Sequence, residues 1–308
     1  MDESPIVTRA LTKRFGAKSA VNALTLQVQR GSITGFLGVN GAGKTTTLRM
    51  MMGHLHPTEG SGEVLGANPW RHDEALRRRV AYVSENMGLP GWMTPRKAAR
   101  FNATIYPQWD RALADHLLAE FDLAEAGPVA RLSKGQKRKA CILCALCQGA
   151  ELLILDEPAA GLDVLARHAF LKRILEIACE GNGTVLISSH LLSDLERVVD
   201  RLAIIDAGRL LLTGDLEEVK GSVRRIHLPI GLARDRLVAH FNIAKYTRPS
   251  ATETLITVKD FADAQLDRLV EEVPEAHAAR VYGLNLEEIF VELVGPDTTD
   301  ATELEVHP

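Results

Sequence analysis

The chain lacks any excess of positive charge: 36 lysines and arginines stand against 40 aspartates and glutamates, for a formal net charge of −4. A nucleic-acid binder leaves a basic footprint, so the totals point away from that class and leave open only a local basic patch. No apolar run reaches the length of about eighteen residues, so the chain is not expected to span a membrane by itself. The opening MDESPIVTRA is acidic and has no apolar stretch, unlike a secretory leader. Four cysteines (Cys141, Cys144, Cys147 and Cys179) form no disulfide framework, as expected of a chain kept in a reducing cytoplasm. What is present is ordinary globular material: 46% hydrophobic and 25% charged residues over a length of 308, which suggests about two domains.

The stretch GFLGVNGAGKTTTLRM, residues 35–50, carries more information. Gly38 is followed after four residues by Gly43, Lys44 and Thr45, the G-x-x-x-x-G-K-[ST] spacing of a phosphate-binding loop. Ile33, Phe36 and Leu37 predict a buried strand before it, and residues 44–52 predict a helix closed by Gly53. A loop that wraps a triphosphate brings backbone N–H groups close to it, and side chains at Gly38, Gly41 and Gly43 would obstruct that approach. The helix that follows points its positive N-terminal end at the same anion. Lys44 neutralises the outer phosphates, the Thr45 hydroxyl can ligate Mg²⁺, and Asn40 and Thr46 are counted with the loop as ATP-binding. A glycine-rich turn with a stray lysine is the bland alternative, and it leaves the strand–loop–helix context unexplained.

Downstream, residues 80–83 predict a short strand, and Thr94 before Pro95 predicts a helix start. The helical pattern runs to about residue 123, with Trp92, Phe101, Ile105, Tyr106 and Trp109 as its bulk, and residues 86–145 or so are expected to form an inserted helical subdomain. The segment KACILCALCQGA spaces Cys141, Cys144 and Cys147 three apart. That spacing admits an iron–sulfur or zinc reading. In an apolar helical segment, however, such residues lie along one face, where cysteine serves as a small hydrophobe.

The segment RLSKGQKRKACILCALCQGAELLILDEPAAGLD resembles the ATP-binding cassette ATPases. Leu132, Ser133, Lys134, Gly135 and Gln136 stand where the family carries its LSGGQ-type signature, with Lys134 replacing a glycine. The apolar run 152–155 predicts a strand buried on both faces that delivers Asp156 to the carboxyl edge of the sheet. There Asp156 is suited to hold Mg²⁺ and Glu157 to act as general base on the attacking water, whereas a buried acidic pair without a cation would be costly. The resemblance implies further roles. His190, in TVLISSH, falls at the switch-histidine position that contacts the γ-phosphate, the bland alternative being a structural residue at a strand end. Asp163 falls in the D-loop that meets the partner subunit. Phe15 falls where an aromatic stacks on adenine, with a core phenylalanine as the alternative. Ser133 reads as the N-cap of a helix whose N–H groups make an anion site without a phosphate loop, and in the family that site meets ATP held by a second copy. Glu85, in AYVSENM, replaces the family's Q-loop glutamine. A carboxylate there either joins Thr45 and Asp156 around Mg²⁺, or is protonated, or faces the permease groove.

Beyond about residue 220 the composition changes. VRRIHLPI, ARDRLVAHFN, ETLITVKD, FADAQLDRLVEEVP, AARVYG and NLEEIFVELVG alternate short strands with amphipathic helices, as in a small α+β domain. The closing LEEIFVELVG resembles the ATPase subunits of ABC-2 type exporters. The polar, acidic residues 296–308 have the composition of a disordered tail. The expected architecture is therefore an α/β P-loop NTPase cassette over residues 1–220, with mixed sheet core and helical subdomain, followed by an α+β accessory domain over 221–295. The resemblance implies an ATPase using ATP and Mg²⁺, a homodimer, and a separate integral-membrane permease docked between the sheet core and the helices of 86–130. It further implies a cytoplasmic location on the inner face of the cell membrane and no nucleic-acid partner. A cassette ATPase acting on nucleic acid or the ribosome is the alternative, and an ordinary P-loop kinase has no use for the signature.

Overall fold

A computed structural model describes residues 4–71, 73–84, 87–179, 183–189 and 191–295. The chain divides between Thr213 and Gly214 into two compact units. In the first, the strands are β1 (Ile6–Phe15), β2 (Lys18–Val28), β3 (Ile33–Leu37), β4 (Glu59–Val64), β5 (Val80–Val83), β6 (Leu152–Asp156), β7 (Thr184–Ser188), β8 (Arg201–Asp206) and β9 (Arg209–Asp215), whose last two residues lie past the division. Its helices are α1 (Lys44–Met51), α2 (Glu74–Arg79), α3 (Pro95–Ile105), α4 (Arg111–Glu120), α5 (Lys134–Leu146), α6 (Val164–Cys179) and the short α7 (Leu192–Leu195).

Six strands in the order β5-β6-β7-β3-β8-β9 build the main sheet. The pairs β5–β6, β6–β7, β7–β3 and β3–β8 are parallel. The inner strands β3, β6 and β7 are buried at every residue, and apolar side chains predominate in them. A second, antiparallel sheet in the order β2-β1-β4 packs into the same core, where Ile6, Leu11 and Val21 join Phe36, Leu48, Met50, Ile154 and Ile205. Helix α1 thus buries its Leu48, Met50 and Met51 while its N-terminus stays at the sheet's carboxyl edge. Among the described residues no helix is long and apolar enough to cross a membrane.

Helices α3, α4 and α5 form the helical part of the first unit. Thr94 caps α3 through the Lys97 N–H (3.2 Å), with Pro95 at its first position. Of the bulky residues expected in this region, Trp92 is 71% and Phe101 52% exposed, and Ile105 is exposed too. The interior is filled instead by Leu117, Leu118, Phe121 and Leu123, aliphatic and aromatic positions on and after α4. Cys141 and Cys147 are buried and Cys144 half-buried, with its sulfur accepting from Asn102 Nδ2 at 3.5 Å. Burial pushes the Cys144 thiol up to about 12. Among the described residues no group of three or more His, Cys, Asp or Glu is placed to hold a metal ion, and Cys141 and Cys147 pack as core.

The second unit contains α8 (Leu216–Ser222), β10 (Arg224–Leu228), α9 (Arg234–Val238), β11 (Asn242–Ser250), β12 (Glu253–Lys259), α10 (Asp263–Glu272), β13 (Arg280–Gly283) and α11 (Leu286–Val294). Its antiparallel sheet has the order β11-β12-β10-β13. Ile226, Leu228, Leu237, Ile256, Val258 and Leu269 form its core. The division precedes the compositional boundary near 220 because α8 belongs here: Asp215 caps it, and Ser222 O accepts from the Phe261 N–H at 2.9 Å. The edge strand β11 escapes the sequence pattern, since Lys245, Arg248 and Pro249 interrupt its apolar residues.

Candidate active site

The carboxyl ends of β6, β7 and β3 lie side by side, and Asp156 and Phe36 both pair with Ser188 in register. Chain leaving parallel strands at such an edge opens a crevice. After β3 it forms the loop 38–43 and turns into α1, whose N-cap is Gly43. A Cβ at Gly43 would collide with the carbonyl oxygen of Ala20, and one at Gly38 would stand 2.6 Å from Ile205 O. These two glycines are therefore required by the neighbouring backbone of β2 and β8, behind the loop, more directly than by a ligand in front of it. The turn at Gly208 completes the support: its N–H donates to Ala42 O and its carbonyl accepts from the Asn22 N–H, both at 2.9 Å.

Lys44 is only 7% exposed, and its Nζ donates to the loop carbonyls of Gly38 (2.6 Å) and Val39 (3.3 Å). Burial pulls its pKa below the ordinary 10.5, against the upward pull of the Glu157 and Asp156 carboxylates. Phe15, Lys18, Asn40, Gly41, Gly43, Lys44, Thr45, Thr46 and Glu157 line one cleft of about 430 Å³. Phe15 stands 53% exposed at its rim, with the Lys13 ammonium 5.3 Å from its ring centroid, and is not a core residue.

Asp156 closes β6 fully buried. Its Oδ1 accepts from the Ser188 hydroxyl at 2.9 Å, while Oδ2 is buried without a partner among the described residues. The next residue, Glu157, adopts φ +50°, a left-handed conformation uncommon for a side chain of this size. Its N–H donates to Ser188 O (3.2 Å) and Ser188 Oγ (3.0 Å). Sequence reasoning overlooked Ser188; the signal available was a hydroxyl residue at the end of an otherwise apolar strand.

The signature residues lie elsewhere, at the start of α5, and none of them lines the cleft. Ser133 caps that helix by accepting from the Gln136 N–H (3.2 Å), and Gln136 Oε1 accepts from the Ser133 N–H in return (3.1 Å). Gln136 thus has a local role in a capping box. Leu132 is buried, Lys134 is exposed, and a Cβ at Gly135 would sit 3.0 Å from Gly161 O. Asp163 pairs with Lys139 at 2.7 Å, which holds its carboxyl below the usual range, and it caps the Ala166 N–H. The segment around Gly161 and Asp163 and the helix α5 are therefore joined within one chain. Glu85 and His190 lie outside the described residues. Of their neighbours, Ser84 O accepts from Arg138 Nη1 at 2.7 Å, and Ser189 Oγ accepts from the Leu191 N–H at 3.0 Å.

A phosphate loop at the carboxyl edge of a parallel sheet, with an acidic residue closing the next strand but one, defines a P-loop nucleotide-binding protein. Comparison with known proteins narrows the class. Residues 21–160 match the family described as ABC transporter. The bacitracin transport ATP-binding protein BcrA of Bacillus licheniformis is 34% identical over 95% of this chain and 98% of its own length. A Nod factor export ATP-binding protein I of Burkholderia lata is 33% identical over 97% of this chain and all of its own length. A solved ATP-binding subunit of an ABC transporter superposes with a TM-score of 0.64 at 32% identity, covering 71% of this chain and 92% of that one. The chain belongs to the ATP-binding subunits of ABC transporters: it binds and hydrolyses ATP, and works with membrane components of a transporter.

Proposed function

We propose that this ATPase acts as a homodimer on Mg²⁺-ATP and drives an export permease from the cytoplasmic face of the cell membrane. The observation that carries the homodimer is the composition of the cleft. It holds the phosphate loop, Phe15 and Glu157 but no residue of the signature, whose capped helix N-terminus is an anion site on another part of the unit. A second copy facing the first supplies Ser133 and the α5 N–H groups to the γ-phosphate. Export follows the relatives, which are named for bacitracin transport and Nod factor export. The exposed Met87, Trp92 and Phe101, between β5 and the middle of α3, offer apolar surface to the permease.

Within the site, Lys44 counters the charge of the outer phosphates and Phe15 stacks on the base. Glu157, presented in the cleft by its left-handed backbone, accepts the proton of the attacking water. The donors suit a hard cation: the hydroxyl of Thr45 and the unpartnered Oδ2 of Asp156. Mg²⁺ bound there would neutralise charge on the phosphate oxygens. Glu85 and His190 keep the Q-loop and switch positions that the family resemblance assigns them. Glu157→Gln tests the reading. Hydrolysis should fall by about 10²-fold or more, while ATP now holds the protomers together on size-exclusion chromatography. Monomers only, with turnover intact, would sink both the general base and the paired site.

A further inference from the structure

We infer that Ser188 is a positioning residue for hydrolysis, its hydroxyl holding the Asp156 carboxylate and the Glu157 backbone in a single arrangement. The inference rests on the metal and base roles proposed for those two acids.

Ser188 is the last residue of β7, fully buried, with Asp156 opposite it on β6 and Phe36 opposite it on β3. A hydroxyl has one proton to give and two lone pairs. The Glu157 N–H, 3.0 Å from Oγ, can only donate, so the oxygen accepts there. The serine proton is left for Asp156 Oδ1 at 2.9 Å. The direction of both bonds is thus set by the donor inventory. Oδ1 is occupied as an acceptor, and Oδ2, without a partner among the described residues, is the oxygen left for a hard cation. Turning the carboxylate out of this orientation would break the bond at Oδ1.

The same hydroxyl acts on Glu157. Its φ of +50° is unfavourable for a non-glycine residue, and the bonds from its N–H to Ser188 Oγ and Ser188 O hold it there. That conformation places Glu157 on the lining of the nucleotide cleft. Packing alone does not call for serine at this place. The preceding Val185, Leu186 and Ile187 are apolar and equally buried, and an apolar side chain would avoid the cost of burying a hydroxyl. The hydroxyl is kept for what it holds.

Ser188→Ala, Ser188→Thr and Asp156→Asn, made in the full chain, test this. The readouts are thermal melting, ATP affinity in EDTA, Mn²⁺ binding to the protein–ATP complex by electron paramagnetic resonance, and the kcat and KM for ATP. Outer-shell partners of metal ligands commonly contribute about 10–100-fold. Ser188→Ala should therefore lower kcat about tenfold or more and weaken Mn²⁺ binding by at least about fivefold, with ATP affinity in EDTA and KM within about threefold. Ser188→Thr, which keeps the hydroxyl, should return both to within about twofold of wild type. If Ser188→Ala melts below the assay temperature, Ser188→Cys, of similar shape with a weak thiol donor, is held to the same expectation. Loss of Mn²⁺ binding in Asp156→Asn, with Ser188→Ala unchanged in kcat and Mn²⁺ binding, overturns the role of Ser188 and leaves the metal site standing. Unchanged Mn²⁺ binding in Asp156→Asn overturns the metal site, and the inference with it.

Discussion

Replacing Gly43 by alanine should damage this protein from behind the loop. Gly43 has φ +105°, a region that costs an L side chain about 1–3 kcal/mol. Its Cβ would also meet the carbonyl oxygen of Ala20, part of the β2 backbone and unable to swing away as a side-chain tip would. Forcing such a contact adds about 1–3 kcal/mol. Gly41 supplies the control: φ is +86°, yet nothing lies within 4 Å of a Cβ built there, so Gly41→Ala carries the backbone strain alone. The difference between the variants is then the collision. At about 2–4 °C per kcal/mol for a unit of this size, Gly43→Ala should melt roughly 2–12 °C below Gly41→Ala. Scanning fluorimetry with and without ATP measures it, and Gly43→Ala should also lose the stabilisation that ATP gives, because the displaced loop no longer fits the phosphates. Equal melting temperatures for the two variants, or full stabilisation of Gly43→Ala by ATP, would refute the argument.

Ser133 separates capping from anion binding. Ser133→Ala should destabilise by about 1 kcal/mol in urea melts and Ser133→Gly by only a few tenths, since glycine is nearly as good an N-cap, while ATPase activity falls alike in both. Equal stability losses would contradict the capping box. The Arg79–Glu151 pair (2.5 and 2.9 Å) is half-exposed, and the guanidinium hydrogen bond lowers the Glu151 pKa below the ordinary 4.5. A carboxylate depressed in the folded state contributes stability above pH 4.5 and loses it as pH falls through the folded value. Wild type should therefore exceed Glu151→Gln by about 0.5–1 kcal/mol near neutral pH and converge with it in acid, as urea melts across pH 3–7 would record.

The local elements were legible wherever a short stretch of chain carries its own physics. The loop at 38–45, the strands at 80–83 and 152–155 and the caps at Thr94 and Ser133 depend on neighbours a few residues away. Their apolar runs, turn residues and capping hydroxyls therefore announce them. Edge strand β11 was not legible, because its charged residues and proline suit an edge and imitate a loop. The exposure of aromatic residues in the helical region was not legible either. Hydrophobicity says that a side chain favours burial, and Trp92 and Phe101 nonetheless lie on the surface.

The chemistry of the site divides in the same way. Residue types and spacing along the sequence determined the phosphate-loop pattern that ends in Lys44 and Thr45, and that Asp156 ends a buried strand with Glu157 next to it, because a phosphate loop and an apolar strand are each contiguous. Only the tertiary structure decided what stands behind and between them. Gly43 is held to glycine by Ala20, more than twenty residues earlier, and the loop is supported by Gly208, far later in the chain. Ser188 reaches Asp156 and Glu157 across thirty-odd residues because parallel pairing sets β7 beside β6. Strand order in a sheet is a choice among distant partners of similar apolar content, so no local pattern encodes it, and every contact that depends on it waits for the fold.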